Sequence, residues 1–329
     1  MPSPRTDVHA HFIPDFYRDA LASAGHTRPD GIKAIPEWNE NQAIKVMDDL
    51  GIVSQILSIS SPGIHFGDAH QAAGLARAVN EEGARLAAAY PGRFGFFASL
   101  PAPDVDSSVA ELRHALDVLH ADGVVMQTHH HGVYQGDSRF EEIYAELHRR
   151  GAVLFIHPTS PSCDTDHSLG YPRPMLEFMF ETTRSLTNMV LSGALERYPG
   201  MRVIVPHAGA ALPVLANRIE LLLPLLTAPG GAKPPSVREA LRGLYFDVAG
   251  APVPELLGAL LQVADPANVL YGSDWPFTPA GACAELAERL DDTPVMSQEL
   301  RDDVYRLNAA RLFPRFGRPD SAPGAVVGP

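Results

Sequence analysis

The chain has 329 residues, 45% of them hydrophobic, and a formal net charge of -13. That length suits one large domain, and an acidic balance without any Lys/Arg cluster excludes a nucleic-acid footprint. The two cysteines, Cys163 and Cys283, form no Cys-x-x-Cys pair, and no signal-like leader or bilayer-length apolar run stands out, so a cytoplasmic protein without a disulfide framework or membrane anchor is expected.

Eight short apolar runs follow one another: 6–12, 53–60, 94–100, 123–128, 152–158, 201–209, 244–250 and 269–276. Their β-branched and aromatic content, with Gly or Pro near the ends, predicts strands. The first, TDVHAHF, ends on His9 and His11. Residues 14–40 then form a longer connection than a minimal unit needs, punctuated by Gly25, Pro29, Gly31 and Pro36, and are expected to make a lid or small insertion. Helical patterns cover 41–50 and 69–90, and Val105, Val109, Leu112, Leu116 and Leu119 repeat at helical spacing. Strand four runs into His129, His130 and His131; Ser138 with Glu141 reads as a capping box for a helix ending near Arg150. Strand five closes on His157 and is followed by a Pro-rich loop and a helix over 175–198. Strand six ends at His207 ahead of a helix over 212–226; strand seven carries Asp247 ahead of a helix over 253–263; strand eight delivers Asp274 in YGSDWP. The tail 317–329, rich in Gly, Pro, Ala and Ser, is expected to be disordered. Eightfold alternation of strand and helix predicts parallel strands closed into a (β/α)8 TIM barrel, a single domain over 1–316 distorted by the insertion after strand one. No Gly-x-Gly-x-x-Gly follows the first strand, so a dinucleotide-binding sheet loses support.

Histidines and an aspartate at the C-terminal ends of four distant strands suggest one site at the barrel rim. On a strand, residues i and i+2 share a face, so His9 and His11 can reach one ion; the bland alternative is two incidental polar residues. His157 is otherwise a core histidine bonded to a backbone carbonyl, and Asp274 otherwise a turn aspartate; as a strand-end carboxylate it completes a divalent site or takes a proton from bound water. His207, in PHAGAALP, is a fourth imidazole ligand, a structural histidine, or, as we prefer, an acid/base group beside the ion. Of the triple histidine, at most one or two side chains can point inward; His129 is taken as a substrate contact. Asp7 is expected to face away from the ligands, and Asp247 either to support one of them or to be structural. Phe12, Trp275 and Phe277 flank ligand positions and either wall a pocket for a planar substrate or pack the core.

These segments, in this order, resemble the metal-dependent amidohydrolase superfamily and its decarboxylase branch, typified by aminocarboxymuconate-semialdehyde and 6-methylsalicylate decarboxylases. DVHAHFIP, WNENQAIKVMDDLGI, LFIHP, LSGALERYP, HAGAALP and YGSDWPF carry the resemblance, which spans about residue 7 to 313. It implies that His9, His11, His157 and Asp274 hold one divalent ion, zinc ahead of manganese, with His207 as the catalytic histidine beside them. It also implies a homodimer, or a dimer of dimers, in which Arg218 reaches across the interface to a small-molecule carboxylate substrate. Three departures bear on the chemistry. Strand four ends MQTHHH, without the bridging lysine of binuclear relatives; Ala210 stands where resorcylate-type enzymes have a glutamate; and DGIKAIPEW lacks the arginine of the semialdehyde decarboxylases, which argues against their dicarboxylic substrate.

The resulting expectation is nonoxidative loss of CO2 from an aromatic, salicylate-type or conjugated acid, with His207 or Asp274 moving the proton. The alternatives are a mononuclear hydrolase of a lactone, ester or amide using the same site, and a noncatalytic metal-binding barrel.

Overall fold

The computed structural model describes residues 4–162, 168–226 and 235–317; Cys163 and the tail beyond Gly317 lie outside the described residues. Eight strands form one sheet in sequential order: β1 (Arg5–His11), β2 (Ile52–Ser58), β3 (Phe94–Ser99), β4 (Gly123–Gln127), β5 (Val153–His157), β6 (Arg202–Val205), β7 (Tyr245–Asp247) and β8 (Val269–Leu270). Each neighbouring pair is parallel. Parallel bridges Asp7–Tyr271 and Ala10–Trp275 bring the last strand back to the first and close the barrel.

At least one helix follows each strand, as the crossover a parallel pair requires; the principal ones are α1 (Glu40–Leu50), α2 (Ala69–Ala89), α3 (Val105–Asp117), α4 (Glu141–Arg150), α5 (Glu177–Leu191), α6 (Leu212–Leu226), α7 (Leu256–Leu260) and α8 (Ala280–Asp292). Side chains as polar as Asn39, Asp68 and Asp104 cap the first three by accepting backbone N–H groups of the first turn. The expected capping box at Ser138 is replaced: Ser138 opens a 3-10 turn, and the Asp137 side chain accepts the Arg139 N–H. The helix expected over 175–198 is broken at Gly193, whose φ of 74° lies in the left-handed region. That over 253–263 contracts to α7.

The barrel interior is filled by Val8, Ile56, Phe97, Val125, Phe155, Ile204 and Leu270, one or more from nearly every strand. Leu312, Phe313 and Phe316 from the C-terminal segment close its N-terminal end. A second, larger core lies between strands and helices. With the lower barrel packed solid, polar strand ends are left to face each other only at the C-terminal mouth. The insertion folds over that mouth as a helix, Asp15–Ser23, and a turn, Pro29–Gly31.

The sequence reading found no run of bilayer length. The segment His207–Leu226 does reach the length and apolarity of a membrane span, with 28% of its most apolar window buried. The reason is local: α6 turns Val214, Leu221, Leu225 and Leu226 outward rather than into the core.

Candidate metal centre

At the mouth, His9, His11, His157 and Asp274 place one ligand atom each within 4.8 Å of one another. The two β1 imidazoles share a face, their ring centroids 5.1 Å apart, as the two-residue period of a strand requires. His157 arrives from β5, its ring 4.8 Å from that of His11. Asp274 sits just past β8 with a φ of 58°, a strained conformation for a non-glycine residue, and its Oδ1 lies 3.0 Å from His11 Nε2 and 3.5 Å from His9 Nε2.

The second nitrogen of each ring decides which atom is free to bind. His9 Nδ1 donates to Asp247 Oδ2 at 2.9 Å. His11 Nδ1 lies 3.0 Å from Ser58 Oγ and 3.3 Å from the Ser58 carbonyl. His157 Nδ1 donates to the Pro158 carbonyl at 2.7 Å. With the proton held on Nδ1 in all three, the lone pairs sit on the Nε2 atoms that converge, which is how outer hydrogen bonds orient metal-binding imidazoles. His9 Nε2 is fully buried and has no hydrogen-bond partner.

Electrostatics point the same way. Burial disfavours a charged His9, yet Asp247 at its Nδ1, and after it Asp274 and Asp7, raise it to about 9, so this imidazole favours a positive charge on Nε2, whether a proton or the ion that would displace it. Burial lowers His11, and burial reinforced by the neighbouring imidazoles holds His157 well below its usual range. Burial would raise Asp274, but the imidazoles of His11, His207 and His9 keep it well below the ordinary carboxylate range. Three neutral-capable imidazoles and one carboxylate, with an orphaned nitrogen among them, fit a single divalent ion of the zinc or manganese type.

His207 follows β6 in a turn where residues 207 to 210 all have positive φ, and only Gly209 is suited to it. The small side chains of this turn permit the tight path, and the strain lifts the imidazole to the cluster: its ring centroid is 5.0 Å from that of His9, and Nε2 is 3.8 Å from Asp274 Oδ2. Asp247 anchors the turn, accepting the His207 and Ala249 N–H groups on Oδ1, both at 3.0 Å. Asp7 faces away from the cluster: it accepts from Gln55 Nε2, Ser273 Oγ and the N–H groups of His9 and Ser273.

A cavity of about 860 Å³ opens above the cluster. His157, His207 and Asp274 form part of its lining; Pro172, Pro174, Met175, Phe178 and Phe277 give it apolar walls, and Asp30, Ile32, Lys33 and Pro36 from the insertion line it from above. Phe12 and Trp275, taken as candidate substrate contacts, fall outside it. Phe12 follows inward His11 by one residue, so alternation turns it the other way, and it packs against Trp38 at 6.1 Å; Trp275, beyond the left-handed turn at Asp274, is 4% exposed in the outer core. His129 lies in the wall of a neighbouring cavity, and its Nε2 donates to the Ser160 carbonyl at 2.8 Å. His130 packs edge-on against Phe140, and His131 meets His65. Arg218 is exposed on α6, away from the cavity of its own chain. Sequence reasoning missed Ser58, Phe178 and Asp30; the first is signalled only by register, since it pairs with His11 across β1 and β2.

Comparison with known proteins gives a consistent result. A family model described as Amidohydrolase matches residues 6–315. The chain is 37% identical to a 6-methylsalicylic acid decarboxylase of Penicillium expansum, over 95% of this chain and 97% of that one. Among solved structures, one titled amidohydrolase II superposes with a TM-score of 0.88 at 35% identity, covering 94% of this chain and 99% of the other. A dihydroxybenzoic acid decarboxylase of Polaromonas, with bound manganese and 2-nitroresorcinol, shares the fold with a TM-score of 0.81 at 21% identity, covering 98% of this chain and 100% of that one.

Proposed function

From the premise that the chain belongs to the amidohydrolase family, we propose that it is a metal-dependent, nonoxidative decarboxylase of a salicylate-type aromatic acid. The observation that carries this is the set of three imidazoles whose Nδ1 atoms are all occupied and whose Nε2 atoms converge with Asp274 beneath an apolar cavity. Relatives at 35 to 37% identity that are named as decarboxylases favour carbon–carbon cleavage over the hydrolase alternative.

His9, His11, His157 and Asp274 would hold the ion, with zinc our first assignment and manganese the second. Bound there, a divalent ion supplies an anchor and charge sink for a carboxylate and its neighbouring phenolic oxygen. The residues do the rest. Phe178, Met175 and Phe277 hold a planar ring and exclude water from it. His207 delivers a proton from Nε2 to the ring carbon that bears the carboxylate; as that bond forms, the bond to the carboxyl carbon breaks, its electron pair returns to the ring, and CO2 leaves. Asp274, within ion-pair reach of that nitrogen, holds the imidazole in line. We also assign a homodimer packed through α6. Val214, Arg218, Leu221 and Leu225 recur at helical spacing on one exposed face, so a second copy would cover the apolar stripe and bring Arg218 towards its partner's substrate carboxylate.

The test is elemental analysis of the purified protein, followed by assay of the metal-loaded form on 6-methylsalicylate and related hydroxybenzoates. Release of CO2 with formation of the corresponding phenol is expected. Lactone or ester cleavage with no CO2 would replace this reading with the hydrolase one.

A further inference from the structure

The insertion places one carboxylate in the cavity ceiling, and the proposed chemistry does not use it. Asp30 sits in the Pro29–Gly31 turn at a φ of 56° and lines the same cavity as the candidate ligands. The barrel holds it in place. The Ser160 hydroxyl donates to Oδ1, and the Ser61 hydroxyl and the Ser160 N–H lie near enough to favour the ionised carboxylate. Ser61 is itself met by Thr159 Oγ1 at 2.8 Å, and His129 fixes the Ser160 segment through its carbonyl. Burial pushes the carboxyl up, while the serine hydrogen bonds and Arg173 draw it back.

A carboxylate has about four acceptor positions, and the Ser160 hydroxyl takes one of them. The remaining capacity is left to a ligand in the cavity. Around it the cavity wall is apolar, formed by Pro172, Pro174 and Met175, with the Arg173 charge close by; among the described residues, the lid cation lining the cavity is Lys33, which is exposed.

We propose that Asp30 is a specificity-determining residue that reads the ring edge remote from the metal-bound carboxylate: it accepts a hydrogen bond from a hydroxyl there and repels a second carboxylate. This rests on the decarboxylase reading for the orientation of the ring. It goes further in naming the substituent: a phenolic donor on the far edge is favoured, and an aromatic dicarboxylate is excluded.

The test uses the zinc-loaded full chain, wild type and Asp30→Asn. Asparagine tolerates the left-handed backbone and keeps the shape, so the variant isolates the charge. Asp30→Ala serves as the second variant. Calorimetric affinity and kcat/KM are measured for 2-hydroxybenzoate, for the same acid with one added ring hydroxyl, and with one added ring carboxylate. With a charge-assisted hydrogen bond at stake, wild type should prefer the dihydroxy acid by about tenfold or more, and Asp30→Asn should erase that preference and gain about tenfold for the dicarboxylate. Metal content should be unchanged. If every acid weakens by the same factor, Asp30 only latches the lid and the proposal is overturned. Shifted binding ratios without CO2 release would sink the decarboxylase reading and leave Asp30 as a selector. CO2 release with unshifted ratios would do the reverse.

Discussion

Replacing Asp247 by asparagine should weaken metal binding at the site while leaving every proposed ligand in place. In the native chain, Oδ1 accepts two backbone N–H groups, from His207 and Ala249, and Oδ2 accepts His9 Nδ1–H at 2.9 Å. All three partners are donors, and an amide offers only one acceptor oxygen. If that oxygen stays with the two backbone groups, the new NH2 faces His9 Nδ1, which must then accept, and the imidazole proton moves to Nε2, the atom that would bind the ion. If the amide flips, two buried backbone N–H groups meet the NH2 instead, and the His207 turn loses its anchor. Either way the site is damaged, and loss of such an outer partner weakens metal binding by about 10- to 100-fold, or roughly 1.4 to 2.7 kcal/mol. Competition against a fluorescent zinc chelator reads the affinity directly, with circular dichroism as the check on folding. Ser58→Ala is the control: His11 Nδ1 keeps the Ser58 carbonyl at 3.3 Å, so its loss should be several-fold smaller. Zinc affinity in Asp247→Asn equal to wild type would refute the tautomer mechanism.

His207→Ala should retain the ion and lose at least about a hundredfold in kcat, whereas His157→Ala should empty the site; elemental analysis of both variants separates proton delivery from ligation. Arg218→Ala should raise KM for the carboxylate about tenfold with the dimer intact, while Leu221→Glu, which puts a charge in the exposed stripe of α6, should give monomers by light scattering; a monomeric wild type would remove both expectations. Glu146 concerns stability rather than activity. Its carboxyl is held down to about 2, first by Arg149 and then, against burial, by Arg150 and Arg113. A folded value below the unfolded one means stability present above about pH 4.5 and lost as pH falls towards 2. Because Arg149 and Arg113 are largely in solvent, the expected contribution is only about 1 to 2 kcal/mol. Urea midpoints of Glu146→Gln and wild type should therefore differ at pH 7, and the gap should shrink steadily as pH falls from about 4.5 towards 2; a constant gap would show that the charge is not the source.

What the sequence made legible were features governed by local periodicity. Alternating apolar runs with intervening helices gave the barrel and its strand order, and the strand period gave the shared face of His9 and His11. The same period, applied one residue further, turns Phe12 away from the cavity and favours the core-packing alternative for it, whereas Trp275 follows a left-handed turn at Asp274 that the strand period does not foresee. Asp30 was not legible. It reaches the cavity because a turn in the insertion docks on Ser160, a residue of another loop, and no spacing in the chain encodes that contact. Asp247 was intermediate: a carboxylate inside a strand demands a partner, but which partner depends on how the barrel closes.

The two fully buried carboxylates beneath the cluster explain why the ligand geometry survives its own strain. His207 and Asp274 both sit at positive φ, each costing on the order of 1 to 3 kcal/mol, and such conformations persist only where their surroundings over-determine them. Asp247 does this for His207 by binding its N–H while holding the tautomer of His9. Asp7 does it for Asp274 one residue upstream, gripping the Ser273 N–H and hydroxyl while also accepting the His9 N–H. Each carboxylate thus ties one strained residue to the same β1 histidine. Burial pushes Asp7 up to about 6, a cost the fold bears at a fully buried position. Rigid preorganisation of His9, His207 and Asp274 relative to one another is the return, and it follows that a substitution at Asp7 should disturb the position of Asp274 before it disturbs the barrel.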